Sequence, residues 1–413
     1  MQAIDKNREA INNYSSLLKI CKPYLDKENL PLLRKGYELI LEAFKDKKMK
    51  YGEQYYYHAL EVANIVADEM GLGITSLVAA ILHDINSVNN ISIPAIDEIL
   101  NTEVRNILDG LKKISQLNIK NSGIQSDNYI KLLVSLSEDI RIVLIRLADR
   151  LAHMRSISVF KPEKQIILAL ESSNVYAPLA HRLGLYRIKT ELEEMSMKII
   201  EPDVYHDVAR KLNETKTVRN KYIEEFVNPL KKELKKHGIS CEIKGRPKSI
   251  SSIWNKIKKQ NVEFEEVYDL FAIRIILKNS TDNEKADCWK AYSVVTDLYR
   301  PNPNRLRDWI STPKVNGYES LHTTVIGPDG KWIEIQIRTS RMDEIAEKGY
   351  TAHWKYKSDS ARQTTENWLS KIRESLDNTN VKSTDEPGSS KIELYSDEIF
   401  IFTPTGEIGR AHV

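Results

Sequence analysis

At 413 residues the chain is too long for one ordinary core, so two or three domains are expected. A net charge of only +3 excludes bulk electrostatics as an argument for nucleic acid, and any anion binding has to come from local clusters. Cys21, Cys241 and Cys288 are odd in number and far apart, which excludes a zinc ribbon and points to a reducing, cytoplasmic setting. The polar N-terminus lacks a signal-peptide core, and there is no apolar run of about 18 residues, so no membrane span is expected.

Through about residue 200 helical periodicity dominates. Leu32, Leu33, Tyr37, Ile40, Leu41 and Phe44 form one apolar face, and Ala59, Val62, Ala63 and Val66 another, on a helix that carries His58. Residues 74–85 are nearly all apolar and predict a buried central helix ending in His83-Asp84. Residues 140–154 are similar and carry Asp149, and Pro162 and Pro178 punctuate the later helices. His58, His83, Asp84 and Asp149 thus lie in or beside buried helices, where imidazoles and carboxylates can converge on a divalent metal. The plain alternative is a set of satisfied core polar groups, with Asp149 paired to Arg146 or Arg150. An adjacent His-Asp at the end of an apolar helix resembles the core of the HD phosphohydrolase superfamily, which favours the metal.

Residues 183–194 read as the start of a long helix, and Glu201-Pro202-Asp203 as a break that supplies an N-cap candidate. Residues 203–237 read as one charged helix, with Leu212, Val218, Tyr222, Phe226, Leu230 and Leu234 on its apolar face and His237-Gly238 as its C-cap. This stretch is the predicted joint between two domains, and Lys231, Lys232, Lys235 and Lys236 read as a solvated face.

From about residue 238 the pattern turns to mixed α/β. Strands are expected at 240–244, 267–277, 321–326 and 332–338, with helices at 250–260 and 286–298, closing as an antiparallel or mixed sheet flanked by helices. On the last strand Ile333, Ile335 and Ile337 face one side, and Glu334, Gln336 and Arg338 the other. The run from Lys314 to His322 gathers a cation, an amide, an aromatic ring and an imidazole around Gly317, which suits a planar phosphorylated ligand. Tyr318 could stack on a base, Asn316 read its edge and Lys314 hold phosphate. An ordinary Asn-Gly turn is the plain alternative. Asp269 and Glu334 are the two acids on strands and could bind one Mg²⁺. Arg246, Lys248, Lys256 and Arg274 form one basic group, and Arg305, Arg307 and Lys314 another. Two basic groups around one metal fit two phosphorylated ligands and phosphoryl or pyrophosphoryl transfer, with Glu334 placed to take a proton from the attacking hydroxyl.

Arg246-Pro-Lys-Ser249, Tyr268-Asp269, Ala272-Ile-Arg274, Pro313-Lys-Val-Asn-Gly-Tyr-Glu-Ser-Leu-His322, Glu334-Ile-Gln-Ile-Arg-Thr339 and Ala352-His-Trp-Lys-Tyr356 resemble the synthetase domain of the RelA/SpoT family, which makes and breaks (p)ppGpp. Ala177-Pro-Leu-Ala-His-Arg-Leu-Gly184 resembles that family's connector. The resemblance implies an all-α HD-type domain over 1–200, a helical connector over 201–237, and an α+β, nucleotidyltransferase-like synthetase domain with a mixed sheet over 238–357. It implies transfer of pyrophosphate from ATP to the 3′-hydroxyl of GDP or GTP. Asp269 and Glu334 would bind Mg²⁺; Arg246, Lys248, Ser249, Lys256 and Arg274 would hold ATP; and Arg305, Arg307, Lys314, Asn316, Tyr318, His322 and Gln336 would hold the guanosine nucleotide. Arg307 stands where lysine is usual, and a cation is retained.

The first half resembles the family's Mn²⁺-dependent hydrolase domain, with His58, His83, Asp84 and Asp149 at the four metal-ligand positions. Elsewhere it departs from that pattern. Ser87 and Val88 replace a Glu-Asp pair that serves the attacking water, Ala152-His153 replaces His-Asn, and Met49 stands where a nucleotide-binding arginine is expected. A silent hydrolase half acting as regulator is therefore expected. A bifunctional synthetase-hydrolase and a non-catalytic nucleotide-binding module are the other readings. Residues 358–394 read as a helix and a polar linker, and residues 397–406 resemble the first hairpin of a β-rich TGS domain. The chain is accordingly expected to be a truncated fragment, with ribosome and uncharged tRNA met only through a missing C-terminal region.

Overall fold

The computed structural model describes residues 13–22, 25, 27, 29–43, 55–85, 100–115, 139–264, 266–267, 270–278 and 283–349, and the backbone of 398–402 and 408–412. Apolar periodicity in the first half becomes helices α1 (13–21), α2 (Leu30–Ala43), α3 (Tyr55–Asn64), α4 (Ile74–Ile81), α5 (Thr102–Ser115), α6 (Ile140–Arg155), α7 (Pro162–Glu171), α8 (Ala177–Arg182) and α9 (Tyr186–Ile200). Their inner faces form one core that takes in Val62, Val66, Leu77, Leu144, Leu147 and Leu192. The expected face of α2 holds at Leu33, Tyr37 and Ile40, whereas Leu32 and Leu41 are only half-buried and Phe44 lies outside the described residues. The central helix is shorter than its hydrophobicity predicts. It ends at Ile81, and residues 82–84 form a turn beyond it.

The connector is two helices, not the single one expected: α10 (Pro202–Glu214) and α11 (Lys216–Lys236). Thr215 ends the first, its Oγ1 donating to the carbonyls of Lys211 (3.0 Å) and Leu212 (3.3 Å). The break changes the phase of the apolar stripe. Val218 is 71% exposed, while Tyr222, Phe226, Leu230 and Leu234 are buried. The expected caps divide. Gly238 closes α11 at a φ of +73°, but Glu201 makes no capping bond and instead accepts from Trp254 Nε1 at 2.6 Å.

The second half is a five-stranded mixed sheet in the order β1-β2-β5-β4-β3, built from β1 (Cys241–Pro247), β2 (Phe271–Leu277), β3 (Arg307–Asp308), β4 (Leu321–Ile326) and β5 (Trp332–Thr339). Only the β2–β5 pair is parallel. β1 runs on through Arg246 and Pro247, because an edge strand has no ladder bond for proline to break there. Helices α11, α13 (Glu284–Leu298) and α14 (Ser340–Lys348) pack with the sheet around Ile273, Ile275, Val295, Ile335 and Ile337. Helix α12 (Ile250–Gln260) joins α10 through a small core of Val208, Ile253 and Phe264. Glu398–Phe402 and Ile408–His412 pair as an antiparallel two-stranded sheet. Among the described residues no helix is long and apolar enough to cross a membrane, and all three cysteines are free.

Candidate active site

The pleat of β5 buries Ile333, Ile335 and Ile337 and puts Glu334, Gln336 and Arg338 on the opposite face, as the alternation predicts. Cross-strand register then aligns Ala272 and Thr324 with Glu334, and Arg274 and His322 with Gln336. Glu334 is the centre of this face. Its carboxylate lies 3.5 Å from Lys248 Nζ and 3.3 Å from His322 Nδ1, and accepts from Gln336 Nε2 at 2.9 Å. Burial works against the charged form, but the bonds from His322 and Gln336 and the charge of Lys248 outweigh it and hold the carboxyl well below its usual range. Burial in turn keeps His322 below its ordinary pKa. A neutral imidazole here donates from Nδ1 to Glu334 and accepts at Nε2 from the Tyr318 hydroxyl, 2.7 Å away, whose own pKa burial raises.

On the Lys248 side opens a cavity of about 590 Å³, lined by Thr190, Glu194, Arg246, Pro247, Lys248, Ser249, Ser252, Lys256, Ala272 and Gln336. Four of the five residues expected to hold ATP therefore share one wall system. Ser249 caps α12, its Oγ accepting from Ser252 N at 3.2 Å. The helical half supplies an acid at the same helix end: Glu194 Oε1 accepts from Ile250 N at 2.9 Å. A helix N-terminus among cations is an anion site, and here a carboxylate holds it. Neither Glu194 nor Thr190 is legible as a site residue in the sequence, since α9 meets α12 only through the tertiary fold.

The fifth expected residue, Arg274, is not on that wall. It is 7% exposed, and its Nη1 bonds Asp343 (3.2 Å) and Glu347 (2.8 Å) of α14. Arg338, 1% exposed, reaches Asp343 at 2.7 Å. Asp269, expected to share the metal with Glu334, lies outside the described residues, as do Tyr268 and residues 352–356.

On the His322 side lies the 314–322 loop. Gly317 takes φ +77°, closing a turn in which its N–H bonds the carbonyl of Lys314 at 2.8 Å. Lys314 Nζ sits 4.1 Å over the Trp309 ring, and Tyr318 is flanked edge-on by Tyr186, Trp309 and His322. Asn316 faces the start of α9: its Nδ2 donates to the Tyr186 hydroxyl at 3.0 Å. Gly184 sits at φ +76°, a conformation that favours glycine, and an added Cβ would lie 3.3 Å from the Asn316 carbonyl. Arg305 and Arg307 are exposed, Arg307 pairing across the sheet with His322. Trp309 and Tyr186 complete an aromatic cluster that the sequence reading missed; the run of loop polar residues was the only local signal.

In the helical half Asp149 gathers the expected metal ligands. Its Oδ1 is 3.0 Å from His58 Nε2 and 3.7 Å from His83 Nε2, and Asp84 lies 3.7 Å from His83. The hydrogen-bonded alternative also operates in part: Arg146 reaches Oδ2 at 3.3 Å, while Arg150 pairs with Glu171 instead. His83 Nε2 is buried with no hydrogen-bond partner, which fits a divalent cation better than a closed polar network. Ser87, Val88 and Met49 lie outside the described residues.

Fold and sites together define a class: a helical bundle with an imidazole-carboxylate cluster, joined to a mixed-sheet domain with a basic cleft around one carboxylate. Residues 245–361 match the model of the region found in RelA/SpoT proteins, and residues 36–186 match that of an HD domain. The chain is 36% identical over 389 residues to a GTP pyrophosphokinase of Myxococcus xanthus, covering 92% of this chain and 50% of that one. It is 34% identical over 401 residues to the bifunctional (p)ppGpp synthase/hydrolase SpoT of Escherichia coli K12, covering 96% of this chain and 56% of that one. Among solved structures, small alarmone synthetase 2 of Bacillus subtilis is 26% identical, with 42% of this chain and 96% of that one covered and a TM-score of 0.28. The chain belongs to the RelA/SpoT family. It spans about half the length of the curated relatives it matches.

Proposed function

We propose that the chain is a (p)ppGpp synthetase that moves pyrophosphate from ATP to the 3′-hydroxyl of GDP or GTP. The observation that carries this is the position of Glu334, between Lys248 at the edge of the 590 Å³ cavity and His322 at the edge of the 314–322 loop. Two polar subsites on either side of one ionised carboxylate are what an in-line transfer between two phosphorylated ligands requires.

In this reading Arg246, Lys248, Ser249 and Lys256 hold the triphosphate, whose phosphates take the place of Glu194 at the N-terminus of α12. Arg305, Arg307, Lys314, Asn316, Tyr318 and Gln336 receive the guanosine nucleotide, after Asn316 exchanges Tyr186 for the base. Glu334 and Asp269 would hold Mg²⁺, which would supply charge neutralisation at the phosphate oxygens. A carboxyl held this far down is a good oxygen donor and a weak base. Glu334 therefore accepts the hydroxyl proton once Lys248 has moved to phosphate, while His322, backed by Tyr318, holds the carboxylate in place. The setting is cytoplasmic, and contacts with ribosome and tRNA are assigned to the further length of the relatives. The strand pair at 398–412 is read as the start of a TGS domain.

The test is a thin-layer assay with γ-labelled ATP and GDP or GTP. Label should move into a guanosine nucleotide in the presence of Mg²⁺ and stay in ATP under chelation. No labelled guanosine product under any condition would overturn the reading.

For the helical half we infer loss of hydrolysis, on Ser87, Val88, Met49 and the Ala152-His153 exchange. Purified protein with Mn²⁺ and ppGpp should release no pyrophosphate above a blank. Sustained release would favour the bifunctional reading, which the retained cluster of His58, His83 and Asp149 supports.

A further inference from the structure

His153 has no part in the ligand set carried over from the family, yet it stands closest to that set's central acid. It follows Asp149 by one turn of α6, so its ring lies beside the carboxylate. Its Nδ1 is 2.9 Å from Asp149 Oδ1, and its ring centroid is 4.3 Å from that of His58. Ligand atoms of His58, Asp149 and His153 all fall within 4.8 Å of one another. Arg146 occupies the other carboxylate oxygen, leaving Oδ1 to the imidazoles.

His83 supplies an independent pointer. Its Nδ1 donates to the Ala80 carbonyl at 2.8 Å, which orients the ring and turns Nε2 toward the cluster. That atom is buried, has no hydrogen-bond partner, and lies 3.7 Å from both the Asp149 and the Asp84 carboxylates. Two carboxylates converging on that buried nitrogen call for positive charge there, which either a proton on Nε2 or a bound cation supplies. The separations of His153 Nδ1 and His58 Nε2 from Asp149 Oδ1, 2.9 and 3.0 Å, lie near the edge of roughly 3.3 Å expected between ligands at ~2.0–2.1 Å from one cation.

We propose that His153 is a metal ligand, and that with His58 and Asp149 it forms the core of a site for a zinc-class divalent cation, with His83 Nε2, 3.7 Å from Asp149, beside it. The expected set of His58, His83, Asp84 and Asp149 offers two imidazoles and two carboxylates, a balance that suits manganese. Exchanging the more open Asp84, 28% exposed, for His153 moves the site toward nitrogen and toward four-coordination. The plain alternative is that His153 only donates from Nδ1 to the Asp149 carbonyl, 3.0 Å away. The proposal rests on the helical cluster and is independent of the synthetase reading.

The experiment uses the metal-free full chain, as wild type, His153→Asn and His153→Ala, titrated with Zn²⁺, Mn²⁺ and Co²⁺ by calorimetry and visible absorption. The wild type should bind zinc more tightly than manganese, and its cobalt form should show the strong visible bands of four-coordination. Both variants should lose about 10–100-fold in zinc affinity and lose those bands, with manganese binding unchanged. Circular dichroism of the metal-free proteins separates ligand loss from misfolding, and His153→Asn keeps a hydrogen-bonding side chain of smaller size. Equal zinc affinity and cobalt spectra in all three proteins, or no metal bound by the wild-type cluster, would overturn the proposal.

Discussion

Glu334→Gln should reduce formation of the guanosine product by roughly 10²–10⁴-fold while leaving the protein folded. The exchange keeps the shape of the side chain on β5 and removes only its charge. Three consequences follow from the contacts of that carboxylate. Lys248 loses the negative group 3.5 Å away and is freed to hold phosphate in an unproductive pose. The metal loses a hard oxygen donor. The chain from Tyr318 through His322 ends on a neutral amide oxygen in place of a charged acceptor. Initial rates at saturating ATP and GDP, with a melting curve for each protein, check this. Equal product from both would remove Glu334 from the chemistry. Because the carboxyl of the free enzyme is held well below its usual range, its protonation should impose no acid limb on kcat/KM near neutral pH.

The second large effect is structural. Asp343→Ala should destabilise the protein by about 3–5 kcal/mol. Asp343 Oδ1 lies 3.2 Å from Arg274 Nη1 and 2.7 Å from Arg338 Nη2, and both guanidiniums are buried. Among the described residues Glu347, 34% exposed, would be left as the one acid paired with them. Burial already lowers the pKa of Arg338, a sign that its charge is costly to keep there. Denaturant unfolding of the two proteins gives the difference, and a change under about 1 kcal/mol, the scale of a surface pair, would show that the ion pairs contribute little. The same geometry explains why Arg274 departs from the ATP group: its sheet face is covered by α14, and only the fold reveals that cover.

What could be read from the sequence was local. The alternation of β5, the bounds of α12 with its Ser249 cap, and the Gly238 cap all follow from patterns within one element. The break at Thr215 left no such trace. Neither proline nor glycine marks it, and a lone threonine is too weak a breaker to end a helix on propensity alone. Contacts between distant segments were invisible for a different reason. Glu194 at α12, Tyr186 at Asn316 and the α14 acids at Arg274 join residues 56, 130 and 69–73 positions apart, and no period encodes such pairs. His153 is intermediate: its i, i+4 relation to Asp149 was present in the sequence but was read as a lesion rather than as a possible ligand.

The claim on which the account turns is transfer of an intact pyrophosphate between two nucleotides held on either side of Glu334. The most direct measurement is the adenine nucleotide left behind when ATP reacts with GDP. The account predicts AMP, formed only when a guanosine nucleotide is present and in equal amount to the new guanosine product. ADP as the product, or AMP formed at the same rate without GDP or GTP, would contradict it.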